Sequence, residues 1–122
     1  MKIQTGIDLI EIERFEKLEP AIRKRFIHRV LTEKELAEVK DANASLAGKF
    51  AAKEAVVKAL GCGIGPVSFQ DMEIIHDENG RPVLNLKDNA LNLATELGLK
   101  EWSLSISHSR HYAVAAVTFI GD

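Results

Sequence analysis

Gly48-Lys49-Phe50-Ala51-Ala52-Lys53-Glu54-Ala55-Val56-Val57-Lys58-Ala59-Leu60-Gly61-Cys62-Gly63-Ile64-Gly65 is the stretch on which the fold turns. From about Leu46 to Leu60 it is rich in Ala, Leu, Lys and Glu and free of Pro, which predicts a helix. Gly61 is placed to end it, because glycine enters the left-handed conformation after a helix at little cost. At roughly 100° per residue, Leu46, Phe50 and Val57 share one face, and Gly48, Ala52, Ala55 and Ala59 share a second with almost no side-chain bulk. Such a helix is expected to be buried on most sides, with another backbone lying close against the small face. Glu54 and Lys58 sit in the gap between the two faces, and Lys49 and Lys53 form a separate pair. Glu54 and Lys58 read equally as an ordinary i,i+4 ion pair and as a functional pair.

Working outward to the N-terminal side, Ile3, Thr5, Ile7 and Leu9 alternate with Gln4, Gly6 and Asp8, a strand pattern with Asp8 and Gly6 opposite the apolar set. Asp8 also suits the cap of a following helix, expected over Leu9–Leu18. After Pro20, the run Ala21–Leu31 interleaves Arg23, Lys24, Arg25, His28 and Arg29 with apolar residues. It reads as a solvated helix face or as a docking surface for an acidic partner, with Phe26 and Ile27 supplying apolar contact. Thr32-Glu33-Lys34-Glu35 has the capping-box pattern, and residues 41–45 form a loop into the central helix.

To the C-terminal side, Cys62-Gly63-Ile64-Gly65-Pro66 is glycine-rich but follows its helix. It lacks the Gly-Lys-Ser/Thr of a phosphate-binding P-loop and lies at the wrong end of the helix dipole. Residues 69–76 and 81–86 read as strands of a hairpin turned at Asn79-Gly80. A helix is predicted over Asn89–Leu97. Trp102, Leu104 and Ile106 alternate with serines in a half-buried strand ending at Ser107-His108-Ser109. Tyr112–Ile120 is apolar enough to be a central strand.

The 122 residues suit one domain spanning 1–122, with 46% hydrophobic and 28% charged residues. A net charge of −2 gives no general field for nucleic acid, and no apolar run approaches the ~20 residues of a membrane span. Cys62 is the only cysteine, which fits a reducing cytoplasm. No histidine pair has zinc-ligand spacing. The two carboxylates Asp8 and Glu54, with lysines near Glu54, suit Mg²⁺, which takes oxygen ligands and shares itself with substrate phosphates. The lysines would then offset charge during phosphoryl transfer.

Gly6-Ile7-Asp8-Leu9-Ile10, Arg25-Phe26, Leu31-Thr32-Glu33-Lys34-Glu35-Leu36, Phe50-Ala51-Ala52-Lys53-Glu54-Ala55 through Gly65, and Ser105-Ile106-Ser107-His108-Ser109 follow one another in an order and spacing that resembles the holo-[acyl-carrier-protein] synthases. These are the small bacterial type of 4′-phosphopantetheinyl transferase. The resemblance covers nearly the whole chain. It implies an α+β fold with an antiparallel sheet packed on a long central helix. It also implies transfer of the phosphopantetheine arm of coenzyme A to a serine of apo acyl carrier protein, for fatty acid biosynthesis. By the same resemblance, Asp8 and Glu54 are Mg²⁺ ligands and Lys58 lies near the transferring phosphate. Gly61, Gly63, Ile64 and Gly65 lie along the adenosine end, Lys49, Ser107 and His108 contact coenzyme A phosphates, and Arg14, Arg25 and Phe26 meet the carrier protein. Lys49 stands where the family commonly has arginine. A homotrimer with sites between subunits is implied as well. The alternative is a non-catalytic subunit that binds coenzyme A or carrier protein.

Overall fold

A computed structural model describes every residue, Met1–Asp122. Its elements run in the order β1 (Lys2–Glu11), α1 (Glu13–Glu16), α2 (Pro20–Val30), α3 (Glu33–Val39), α4 (Asn43–Leu60), a 3₁₀ turn (Phe69–Asp71), β2 (Met72–His76), β3 (Pro82–Leu86), α5 (Asp88–Glu96), β4 (Leu99–His108) and β5 (Tyr112–Gly121). Three strands pair antiparallel in the order β1-β5-β4, so the Tyr112 strand is central as its apolar sequence predicts; β2 and β3 form the expected hairpin.

Helix α4 is the hub. Between Leu46 and Leu60 every side chain is buried except those of Glu54 and Lys58. Its small face lies on the three-stranded sheet. A Cβ on Gly48 would come within 3.0 Å of the Ile106 side chain on β4, and one on Gly6 of β1 would lie 1.9 Å from the Ala55 carbonyl oxygen. The helix therefore crosses the sheet diagonally, its N-terminal half over β4 and its C-terminal half over β1. On the other side Phe50 packs against Phe15, Phe26 and Phe69 at centroid distances of 6.0, 5.2 and 5.8 Å. The helix ends as predicted: Gly61 has φ 71°, and the Cys62 and Gly61 amides donate to the carbonyls of Val57 and Lys58. The indole N–H of Trp102 donates to the Leu84 carbonyl at 2.9 Å and joins the hairpin to the sheet.

Three expectations are corrected. Leu9–Leu18 is not one helix. β1 continues to Glu11 because its ladder with β5 runs unbroken from Lys2↔Gly121 to Glu11↔Tyr112, leaving only a four-residue helix. Asp8 is accordingly a strand residue and no helix cap. The apolar set of β1 faces outward: Ile3, Ile7 and Leu9 are 60, 63 and 61% exposed, while Gly6 and Ile10 face the helix. Alternation identifies two faces but does not say which is covered.

The capping box of α3 forms, with the Thr32 hydroxyl accepting from the Glu35 amide and Glu35 accepting from the Thr32 amide. Glu35 does more than cap. Fully buried, it also takes the ammonium of the equally buried Lys53 at 2.6 Å and the Ile74 amide at 2.9 Å. Lys53 adds bonds to the carbonyls of Val30 and Phe69 at 2.6 and 3.1 Å. One ion pair thus ties α2, α3, α4 and β2 together. Burial, more than the opposing pull of Glu35, lowers the Lys53 pKa.

Candidate active site

The close approach of β1 to α4 sets Asp8 beside Glu54 and Lys58. Lys58 donates to Asp8 Oδ1 at 2.9 Å and to the Ile7 carbonyl at 3.0 Å. The Asp8 side chain is only 14% exposed, whereas that of Lys58 is 55% exposed and free to turn. The second Asp8 oxygen, Oδ2, is buried and has no hydrogen-bond partner, an arrangement that costs free energy until something occupies it. The Glu54 carboxyl is pushed above its ordinary value, first by burial and then by the charge of Asp8, against the pull of Lys58 and Arg14. A buried orphan oxygen and a destabilised carboxylate beside it fit a hard divalent cation. No group of three or more His, Cys, Asp or Glu side chains is gathered anywhere to hold a metal alone. The chain's contribution is two oxygen donors, and Mg²⁺ commonly completes its shell from water and substrate phosphates.

The other lysines of α4 do not reach this corner. Lys53 is bound to Glu35, and Lys49, 2% exposed, donates to Glu38 at 2.6 Å and to the Ile74 carbonyl. The idea that several lysines surround Glu54 is therefore corrected: Lys58 is the one at hand, and burial of the others follows from helix packing on all sides.

Ser107 and His108 end β4 and are exposed. His108 lines a cavity of about 260 Å³ over the N-terminal half of α4, together with Glu38, Ser45, Gly48, Lys49 and His76. In register, Asp8 faces Ala115, and Ala115 faces Ile106. The carboxylate corner and the Ser107-His108 pair consequently occupy opposite edges of the sheet, with β5 between them. A single chain does not bring the two groups together. Gly61, Gly63 and Gly65 lie in an exposed loop at the C-terminal end of α4, and a Cβ at any of them would meet nothing within 4 Å. That loop presents bare backbone, with Ile64 half-buried beneath it. The largest concavity, about 800 Å³, is an open polar groove between α3 and the 3₁₀ turn and contains none of these residues.

On the helical side Arg14 and Arg25 are exposed, and Phe26 is half-buried between Phe15 and Phe50. Ile27 is 8% exposed and belongs to the core, so it is no surface contact. Arg23 is engaged with Asp41 and Asn43 and holds the loop before α4. Sequence reasoning missed Glu38 and His76. Nothing in a lone His at a strand's end, or a Glu eleven residues before Lys49, signals that the three meet.

A largely buried helix that carries a single carboxylate, laid on an antiparallel sheet with a second carboxylate on the facing strand, makes this a small α+β protein of the class to which the 4′-phosphopantetheinyl transferases belong. The model of the 4′-phosphopantetheinyl transferase superfamily matches residues 4–117. A holo-[acyl-carrier-protein] synthase of Caldanaerobacter subterraneus is 45% identical over 124 residues, covering 99% of this chain and 97% of that one. The crystal structure of Helicobacter pylori holo-[acyl-carrier-protein] synthase in complex with coenzyme A superposes with a TM-score of 0.86 at 35% identity, covering 95% of this chain and 99% of that one. The enzyme from Bacillus anthracis, in complex with CoA (3′,5′-ADP), gives 0.79 at 38% identity, covering 98% and 96%. The chain belongs to this superfamily and, within it, to the holo-[acyl-carrier-protein] synthases.

Proposed function

We propose that this chain, as one domain over residues 1–122, moves 4′-phosphopantetheine from coenzyme A to a serine of apo acyl carrier protein and releases adenosine 3′,5′-bisphosphate. The observation that carries the reading is the buried, unpartnered Oδ2 of Asp8 beside the Glu54 carboxyl, which burial and the charge of Asp8 push above its ordinary value, with the exposed ammonium of Lys58 bridging helix and strand.

Asp8 and Glu54 are the residues to hold Mg²⁺. The ion, when bound, supplies positive charge to the pyrophosphate oxygens and makes the phosphorus more electrophilic. The serine oxygen forms a bond to that phosphorus as the bond to adenosine bisphosphate breaks. Lys58, being largely exposed, swings to the phosphate and offsets charge on the leaving side. Glu54 and His108 are the side chains available to take the serine proton. The bare backbone of residues 61–65 accommodates the adenosine end without side-chain obstruction. Arg14, Arg25 and Phe26 form the docking surface for the acidic carrier.

The active assembly in this reading is a homotrimer in the cytoplasm. Two observations support the assembly: the exposed aliphatic row Ile3, Ile7 and Leu9, and the separation of the two groups of site residues on opposite sheet edges. A second copy would supply Ser107 and His108 to the first copy's carboxylates. No helix is long and apolar enough to cross a membrane.

The test is mass spectrometry of apo acyl carrier protein incubated with coenzyme A and Mg²⁺. The phosphopantetheine mass is expected on the wild-type reaction and absent with Asp8→Asn or Glu54→Gln, each still folded by circular dichroism. No mass gain with the wild type would overturn the reading.

A further inference from the structure

The basic run of α2 does not act as one surface. Lys24, Arg25, His28 and Arg29 are exposed, but the Arg23 side chain is only 18% exposed and turns back into the protein. Its Nη1 donates to Asp41 Oδ1, and its Nη2 donates to the Asp41 carbonyl at 3.2 Å and to Asn43 Oδ1 at 2.6 Å. Asn43 is the first residue of α4. The turn leading into it places Lys40 and Asp41 at φ 49° and 66°, left-handed values that side chains adopt at a cost. Arg23 holds that turn from α2.

Two further contacts join the same helices. The Phe26 ring lies 5.2 Å from that of Phe50, and the carbonyl of Val30, the last residue of α2, accepts from the buried Lys53 ammonium at 2.6 Å. Arg23, Phe26 and Val30 thus meet Asn43, Phe50 and Lys53 in the same order along the two helices. Lys53 sets a positive charge at the negative end of the α2 dipole and closes a carbonyl that the last turn leaves open. The Gln70 amide closes those of His28 and Leu31, at 2.8 and 3.2 Å. Glu54 follows Lys53 directly. The two ends of α2 are therefore fastened to the helix that carries the Glu54 carboxyl.

We propose that Arg23 is a positioning residue for the transfer, fixing the end of α2 opposite Lys53 so that a carrier docked on Arg25 and Phe26 brings its serine to the Asp8–Glu54 corner. This rests on the reading above, which puts the carrier on α2 and the reacting phosphate at that corner. Arg23 meets neither substrate, because its fork is spent within the chain. A carrier still docks on a tilted α2, since Arg25 and Phe26 remain on its surface. What suffers is the distance and angle of an in-line attack. The loss accordingly falls on kcat and not on KM for the carrier.

Steady-state transfer from coenzyme A to apo acyl carrier protein, with Mg²⁺ and well below the melting temperature of each variant, tests this. Arg23→Gln should lower kcat about tenfold, with KM for both substrates within about twofold of the wild type. Arg23→Lys keeps the charge but not the fork and should recover part of the rate. Asn43→Ala should lower kcat less than Arg23→Gln, and the double variant should be no slower than Arg23→Gln alone, because the two residues share one contact. Asn43→Ala carries the test if Arg23→Gln does not fold. A merely structural Arg23 would lower the melting temperature and leave kcat unchanged. That result, a raised carrier KM at unchanged kcat, or additive losses in the double variant would each overturn the proposal while leaving the transferase reading intact. No transfer by the wild type would overturn both.

Discussion

The backbone of β1 touches that of α4 at Gly6 and Ala55: a Cβ on Gly6 would fall 1.9 Å from the Ala55 carbonyl oxygen and 3.0 Å from the Ala59 amide nitrogen. This contact brings Asp8, two residues along the same face, against Glu54. Gly6→Ala cannot be absorbed by a rotamer change, because both neighbours are main chain. The expected cost is about 3 kcal/mol in urea unfolding, at the upper end for overpacking. Transfer activity should fall further than stability does, since strand and helix must separate at the carboxylates.

The buried pair Lys53–Glu35 makes a second prediction. Lys53→Met leaves a fully enclosed carboxylate without its counter-ion and should destabilise by about 4 kcal/mol. Adding Glu35→Gln removes the orphan charge, and the amide oxygen can still accept from the Ile74 amide. The double variant should therefore be more stable than Lys53→Met alone. Chemical denaturation of the wild type, Lys53→Met, Glu35→Gln and the double variant checks this, and additive losses would mean that the pair is not coupled.

Much of this molecule is legible in its sequence because local rules and packing agree. The Gly61 stop, the Thr32 capping box, the Asn79-Gly80 turn and the small face of α4 all form as their chemistry predicts. Glu54 and Lys58 are legible for a related reason: between Leu46 and Leu60 they are the only residues of an otherwise buried helix that reach the surface. What is not legible depends on contacts distant in sequence. The outward face of β1 follows from how closely α4 approaches Gly6, and the Leu9–Leu18 pattern yields to a ladder with β5 more than a hundred residues away. Lys49 and Lys53 look like solvated charges until Glu38 and Glu35 are brought to them. His76 joins Glu38 only through the placement of β2.

Glu38 also predicts an acid limb of stability. Burial pushes its carboxyl up, but hydrogen bonds from Lys49 and from the His76 ring and amide, with the charge of Lys49, outweigh this and take it down to about 2 from 4.5. A carboxyl depressed in the folded state contributes stability fully above its unfolded value and loses it as pH falls through the folded one. Melting temperatures of the wild type and Glu38→Gln should differ most above pH 4.5 and converge between 4.5 and about 2. A constant difference across that window would assign the effect to packing.

The outer face of the three-stranded sheet leads to a test of assembly. Ile7 is 63% and Leu9 61% exposed, and their partners across the ladder are Ala116 and Val114. Ile7→Glu or Leu9→Lys touches nothing in the core of one chain, so the isolated fold should unfold within about 0.5 kcal/mol of the wild type. Sedimentation should shift from trimer to monomer, and activity should vanish with it, because His108 and Asp8 of one chain lie at opposite sheet edges. A monomeric variant with full activity would show that one chain holds a complete site.

Arg25 tests the docking surface separately from the chemistry. It is exposed on α2, one residue before Phe26, whose ring is anchored by Phe15 and Phe50 at 5.6 and 5.2 Å. If α2 is the proposed docking surface, a charge on so firmly seated a helix would act on the carrier through Coulomb attraction and leave the carboxylate corner alone. Arg25→Glu should raise KM for acyl carrier protein by at least about tenfold, as for a reversed charge at an electrostatic interface. Coenzyme A affinity should stay within about twofold of the wild type. Because an attraction between exposed charges is screened, added salt should weaken the wild type's carrier binding more than the variant's. Equal losses toward both substrates would mean that α2 serves the donor site as well, and the two surfaces would have to be redrawn as one.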